Sequence, residues 1–476
     1  MNFQTIKKTV GIILCMEAAF MLPPLVLAVF DGDERAQIGF LCGILGVLAI
    51  GLACALLNKA ESGSGVGARE GCVTVAIAWI VISLFGAVPY YASGVIPSLS
   101  NAVFETISGF STTGATVLKD VESVPRAILL WRSITNWIGG MGVLVFLLAI
   151  APVAREGGSM FLLKAEFPGP IAGKLVPRMQ KSAKLLYEIY IFMTVAQTLL
   201  LIAGSVPGFD AVNIALSTVS TGGFSVKNDS LMSYSLYAQI VTGVFMMLCS
   251  ISFSIFYCLV VREFLRIKEN REFRFYGVVV ALAALLIGIN SVGRFDGFGD
   301  GLHHTLFQVI SVMSTTAFSA KPMCSWSAFA WAILMLLMIT GPMAGSTGGG
   351  MKLSRVMILA KSTYRAIAKT ITPGSVHLVH QDGEIVDEET VSVVNSFAVV
   401  YGMAVVITAI VLSLNGFSFG SGATLAISSL GNVGLWMESC GGMSLLSKIV
   451  LCFDMFLGRL EFFPMLILFA PATWKK

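Results

Sequence analysis

Ser98–Thr116 reads Ser-Leu-Ser-Asn-Ala-Val-Phe-Glu-Thr-Ile-Ser-Gly-Phe-Ser-Thr-Thr-Gly-Ala-Thr. Ser98–Phe110 has the length and apolar content of a short helix, and it runs into a small polar tetrapeptide, Ser111-Thr112-Thr113-Gly114. Three other stretches end alike. Phe209–Val219 leads into Ser220-Thr221-Gly222-Gly223, Gly301–Met313 into Ser314-Thr315-Thr316-Ala317, and Gly420–Leu430 into Gly431-Asn432-Val433-Gly434. Each lies between long hydrophobic segments and is too short to cross about 30 Å of hydrocarbon. Irregular backbone survives at membrane depth only where protein buries it or it lines a wet cavity. Four such stretches in register therefore read as re-entrant hairpins that line a pore with backbone carbonyls. The competing reading, ordinary outer loops with short amphipathic helices, does not account for the recurrence in every repeat.

The composition agrees with a membrane location. Of 476 residues, 56% are hydrophobic and 12% charged, and the mean hydropathy is +0.84. Soluble chains carry about 25% charged residues. Runs such as 36–57, 72–91, 275–292 and 391–414 have the reach of membrane helices. The 48 glycines suit close helix contacts and non-helical segments inside the membrane. Nine cysteines without a Cys-x-x-Cys pair argue against a disulfide framework or a metal site. Lys7 and Lys8 before the run 10–30 resemble a signal peptide, but the run is longer than a usual h-region and reads as a retained helix.

Charge placement orients the chain. With a cytoplasmic amino terminus and ten spans, most of the 31 Lys and Arg residues fall inside, including Arg155, Lys164, Lys174, Arg178, Lys352, Lys361, Arg365 and Lys369. The acidic groups Asp31/Asp33/Glu34, Asp120/Glu122 and Asp296/Asp300 then fall outside, where they solvate loops or raise the local cation concentration. A leading pair of transmembrane helices occupies 1–60, and the Ser62–Gly67 stretch links it to the rest. Four helix–pore-loop–helix repeats follow at 71–155, 184–266, 275–365 and 389–472, with loops about one hundred residues apart. The expected fold is an all-α polytopic membrane protein, with the leading pair plus four repeats around a central pore.

A dehydrated monovalent cation needs several oxygens and no tightly binding anionic charge, which rings of backbone carbonyls provide. Glycine permits the positive φ that turns successive carbonyls inward, and the carboxyl ends of the short helices favour cations.

The hairpins resemble those of the Trk/Ktr/HKT potassium-transporter superfamily, and the chain as a whole resembles its TrkH-type pore-forming subunit. The resemblance rests on Glu105–Thr116, Leu216–Ser225 and Trp131-Arg-Ser-Ile-Thr-Asn-Trp-Ile-Gly-Gly-Met-Gly142, and the leading pair favours the TrkH type. It implies K⁺ uptake through a selectivity filter formed by Thr112, Thr113, Gly114, Thr221, Gly222, Thr315, Thr316, Ala317, Asn432, Val433 and Gly434. The family sets one glycine per repeat at the narrowest point, here Gly114, Gly222, Ala317 and Gly434, so alanine replaces one glycine and weaker exclusion of Na⁺ is expected. It also implies a bacterial inner-membrane location, a homodimer in lipid and a cytoplasmic nucleotide-binding regulatory subunit of the TrkA type. No nucleic-acid partner and no tightly bound cofactor are implied.

Proline and five glycines in Thr340–Gly350 interrupt the second helix of the third repeat. The resemblance implies a gating loop beneath the filter, with Gly345, Ser346, Thr347, Gly348, Gly349 and Gly350 as its moving part. It also implies that Arg459, inside the last span, projects beside that loop as an electrostatic barrier. Candidate partners for Arg459 are Asp454, Glu461 and loop carbonyls around Ser346. His303 and His304 read as capping residues at the outer mouth rather than metal ligands. No nucleophile–base pair or nucleotide loop is present in the sequence, so an enzyme is not expected. A symporter that couples K⁺ or Na⁺ entry to H⁺ or Na⁺ remains the alternative.

Overall fold

The computed structural model describes residues 3–57, 68–142, 179–291, 294–295, 297–372, 377–382, 384–436, 442–460 and 462–474. The Ser62–Gly67 linker, the basic positions Arg155, Lys164, Lys174 and Arg178, and Asp296 and Glu461 lie outside the described residues. Residues 143–155 at the end of the first repeat lie outside them as well.

Among the described residues, six helices are long and apolar enough to cross a membrane: Phe3–Phe30, Glu34–Leu57, Arg69–Ala92, Lys184–Ala203, Arg271–Asn290 and Glu388–Ser413. The first is broken near its middle, because Pro23 and Pro24 open a new helical segment, Leu22–Phe30, after Phe3–Phe20. It packs on Glu34–Leu57 where Gly11 and Gly51 face each other. A Cβ on Gly11 would sit 2.7 Å from the Gly51 carbonyl oxygen, so only hydrogen fits at that crossing.

The order long helix, short helix, loop, helix then recurs four times. The short helices are Leu99–Phe110, Gly208–Val219, Phe298–Met313 and Phe419–Leu430. Each is followed after its loop by a second helix, beginning at Arg126, Leu236, Ala328 and Leu445 respectively. The second helices of the second and third repeats do not run straight. In the first repeat, Arg126–Met141 ends at Gly142, which has φ +84°. In the second, Leu236–Cys249 and Phe253–Val260 meet at 90°. In the third, Ala328–Thr340 and Leu353–Ile371 are separated by the glycine-rich loop.

The bend in the second repeat was not expected from the sequence. Ser250 turns its hydroxyl back on the Met246 carbonyl at 2.7 Å, a bond that competes with the helix ladder and bends it. An antiparallel hairpin pairs His380–Gln381 with Glu384–Ile385 on the segment between the third and fourth repeats. With two residues in each strand, it leaves the chain all-α as expected.

Candidate functional site: a ring of four loops

The four tetrapeptides share one hydrogen-bonding register. The third residue of each donates its N–H to a serine carbonyl in the last turn of the preceding helix. Thr113 donates to Ser108 (2.9 Å), Gly222 to Ser217 (2.8 Å), Thr316 to Ser311 (3.0 Å) and Val433 to Ser428 (2.9 Å). The second residue always has positive φ: Thr112 (57°), Thr221 (58°), Thr315 (63°) and Asn432 (50°). So does the fourth: Gly114 (78°), Gly223 (70°), Ala317 (58°) and Gly434 (72°). The alternation in handedness turns successive peptide groups the same way.

This register moves one expected residue. The residue equivalent to Gly114, Ala317 and Gly434 is Gly223, not Gly222. Gly222 occupies the place of Thr113, Thr316 and Val433 and faces the Asn136 side chain. Two adjacent glycines satisfy the sequence pattern equally, and the positive φ and partial exposure of Gly223 separate them.

Burial follows the same register. The first three residues of every loop are buried, and the fourth is partly exposed in all four cases. The loops also touch in sequence around a ring. A Cβ on Gly114 would collide with the Gly222 carbonyl, one on Gly223 with the Thr316 carbonyl, and one on Gly434 with the Thr113 carbonyl. Ala317 packs against the apolar cluster that includes Val433 and Leu435 of the fourth loop. Hydroxyls brace the backbone from behind: Ser111 pairs with Thr113 at 2.7 Å and Ser314 with Thr316 at 2.8 Å. Asn432 ties the ring's ends together, its Nδ2 donating to Thr113 Oγ1 at 3.1 Å and to the Met455 carbonyl at 2.9 Å.

The loop 341–352 lies against this ring. Gly341, Gly345 and Gly350 have φ of 67°, 74° and 77°. The Gly349 N–H donates to Thr315 Oγ1 at 3.1 Å. The Thr347 hydroxyl reaches the Val219 carbonyl at 3.3 Å and the Cys249 carbonyl at 3.4 Å. At the bend of the second repeat, Met343 N–H donates to the Ser250 carbonyl (3.2 Å) and Phe253 N–H to the Gly345 carbonyl (2.9 Å). Ala344 N–H donates to Glu272 Oε1 at 2.8 Å. The loop therefore touches the second, third and fourth repeats by polar contacts or close approach, because Gly349 also lies against the Gly431 carbonyl.

Arg459 completes the enclosure. Its guanidinium donates to the Thr347 carbonyl (2.7 Å), to the Gly140 carbonyl (2.6 Å) and to the Gly139 carbonyl. The expected partnership with the loop is present through Thr347. Gly139 and Gly140, at the end of the first repeat's second helix, were not among the sequence candidates, because a carbonyl acceptor has no side-chain signature. Lys352, counted as an inner surface charge from the sequence, is buried and donates to the Gly348 carbonyl and to Ser346 Oγ (3.4 Å). Glu105 and Arg132 form a buried ion pair at 2.8 Å behind the first loop. A carboxylate in a short apolar helix was the signal for it.

Beyond the first and second loops, the turn 120–122 is stapled to Asn228. Asn228 Nδ2 donates to Asp120 at 2.7 Å and holds that carboxyl below its usual range, while Val121 N–H donates to Asn228 Oδ1 at 2.7 Å. His304 Nε2 meets Asp300 Oδ1 at 3.0 Å, and His303 Nε2 meets Gln239 Oε1 at 2.9 Å. Among the described residues no three His, Cys, Asp or Glu side chains converge as a metal site would require.

The family profile described as TrkH, cation transport protein, matches residues 43–476. The Trk system potassium uptake protein TrkH of Salmonella typhimurium is 31% identical over the full length of both chains. The Trk system potassium uptake protein TrkG of Escherichia coli K12 is 30% identical over 98% of this chain and 97% of its own. The crystal structure of the potassium transporter TrkH from Vibrio parahaemolyticus superposes with a TM-score of 0.88 at 28% identity, covering all of both chains.

Proposed function

The chain belongs to the TrkH family of cation transport proteins, and from that premise we propose that it conducts K⁺ through the ring of four loops, under control of the loop 341–352. One observation supports this reading most directly: four register-equivalent residues, Gly114, Gly223, Ala317 and Gly434, are each partly exposed between buried neighbours. The filter is then lined by peptide oxygens, which replace a cation's water without holding it as a carboxylate would. Thr112, Thr113, Thr221, Gly222, Thr315, Thr316, Asn432 and Val433 form its wall. Gly345 to Gly350 and Arg459 form the closure beneath it.

The protein sits in a bacterial inner membrane with its amino terminus in the cytoplasm, and it works as a homodimer. A nucleotide-binding subunit of the TrkA type docks on the inner basic surface. Lys361, Arg365 and Lys369 follow one another at helical spacing on Leu353–Ile371, which supports this assignment. Purified protein in liposomes tests the reading by uptake of K⁺, Rb⁺, Na⁺ and Li⁺. K⁺ and Rb⁺ entering faster than Na⁺ and Li⁺ is the expected result, and equal rates for all four would refute it. Discrete single-channel current steps separate conduction from ion-coupled carriage, which cannot produce them.

Ala317 limits the selectivity. Its φ of +58° costs a residue with a Cβ about 1–2 kcal/mol relative to a right-handed conformation, and glycine escapes that cost. Ala317→Gly is expected to raise the K⁺/Na⁺ permeability ratio, read from reversal potentials. An unchanged ratio means that the methyl group is accommodated without displacing a carbonyl.

A further inference from the structure

We propose that Glu105 and Arg132 are positioning residues of the filter, holding the first and second loops at a fixed separation and so setting the discrimination between K⁺ and Na⁺. The proposal rests on the reading of the four loops as a filter.

Glu105 sits on the first short helix, fully buried, and Arg132 on the helix that follows, almost fully buried. The carboxylate is saturated with donors. It accepts from Arg132 Nε at 2.8 Å, from Thr116 Oγ1 at 2.8 Å and from the Val117 N–H at 2.9 Å. It thus grips the strand that leaves the first loop just past Gly114. The guanidinium reaches the other way. One terminal nitrogen donates to the Ser225 carbonyl at 3.2 Å, and its plane lies 4.1 Å from the Phe224 ring centroid. Phe224 and Ser225 follow Gly223 directly. One ion pair therefore spans the residues immediately beyond two of the four filter positions, and Gly114 and Gly222 are already in contact between them.

Among the described residues, the other repeats place no such pair behind their loops. Nine residues before Gly223, Ala317 and Gly434 stand Ile214, Gln308 and Leu425, and the positions matching Arg132, the seventh residue of each second helix, hold the buried Thr242, Leu334 and Leu451. A buried ion pair is seldom needed for stability, since well-packed apolar groups of similar volume replace it at little cost. Its directional, charge-assisted bonds instead fix geometry. The first two loops are thus held by charge, whereas the third and fourth rest on apolar packing and on Asn432.

The test uses the full chain in liposomes with three variants. The double variant Glu105→Leu/Arg132→Met imitates the uncharged repeats and removes no single partner alone. Arg132→Lys keeps the charge but forfeits the fork that reaches Ser225. Gly223→Ala probes the filter itself. Both clamp variants are expected to retain K⁺ flux and a cooperative melt while the K⁺/Na⁺ permeability ratio falls on the order of tenfold, the scale of one misplaced polar contact. If Gly223→Ala lowers the ratio and a folded clamp variant leaves it unchanged, the positioning role is overturned and the filter reading survives. If none of the three changes the ratio, the filter reading fails, and the positioning role with it.

Discussion

Replacing Arg459 with alanine is expected to raise Rb⁺ uptake into proteoliposomes by roughly thirtyfold and to remove most of its dependence on a regulatory partner. Two effects of the side chain act in the same direction. The guanidinium is a fixed positive charge next to the only route beneath the loops that the proposed function allows. A cation passing about 8 Å away at an effective dielectric near 20 meets about 2 kcal/mol of repulsion, which is roughly thirtyfold in rate. The same group is also a mechanical link, because it bonds the loop at Thr347 and the first repeat at Gly139 and Gly140. Loss of those bonds frees one side of the loop, which Gly341, Gly345 and Gly350 already allow to turn through conformations closed to other residues. Arg459→Lys separates the two effects: it retains the charge while reaching fewer carbonyls, so uptake should rise less. Uptake equal to wild type in Arg459→Ala would remove the residue from any role in closure.

The second large effect distinguishes the adjacent glycines of the second loop. Gly223→Ala is expected to abolish discrimination between K⁺ and Na⁺. The new Cβ would have to occupy the place of the Thr316 carbonyl oxygen, and it would do so on a residue with φ of +70°. Backbone must then move in two loops at once, at a cost of about 1–2 kcal/mol for the left-handed Cβ alone. Gly222→Ala meets a side chain instead. Its Cβ would strike Asn136, whose amide has no hydrogen-bond partner among the described residues. The pair Gly222→Ala/Asn136→Ala should therefore keep selective uptake, measured as the K⁺/Na⁺ permeability ratio, although Gly222→Ala alone should not. If the two glycines behaved in the reverse order, the shared hydrogen-bonding register would not be what defines the filter positions.

The contrast between these glycines shows what the sequence makes legible. The existence and number of the hairpins can be read from it, because helix length and small polar residues are local properties that membrane depth strictly limits. The loop 341–352 is equally legible, since proline and clustered glycines exclude a helix wherever they fall. Register within a loop is less so. Gly222 and Gly223 are the same residue type, and the positive φ that distinguishes Gly223 is set only in the folded chain. The bend at Ser250–Ser252 was unreadable for a similar reason: a serine inside a span is commonplace, and what fixes the turn is the loop bonding to Ser250 and Phe253. Arg459 announces itself as a charge in an apolar run, but its acceptors are carbonyls that any residue could supply. Arg132 reads as an outer charge, because nothing in its own segment reveals that Glu105 awaits it from the preceding helix.

Because all four loops belong to one polypeptide, a single codon alters one quadrant of the ring and leaves three intact. A symmetric tetramer has no such option, since each substitution there is copied fourfold and its harm multiplied. Three of the seams between quadrants admit only hydrogen at their glycine, and the third loop already bears a methyl group in the corresponding place. Selectivity in this architecture can thus be adjusted in small, separate steps, and a raised K⁺/Na⁺ ratio in Ala317→Gly would mark Ala317 as one of them.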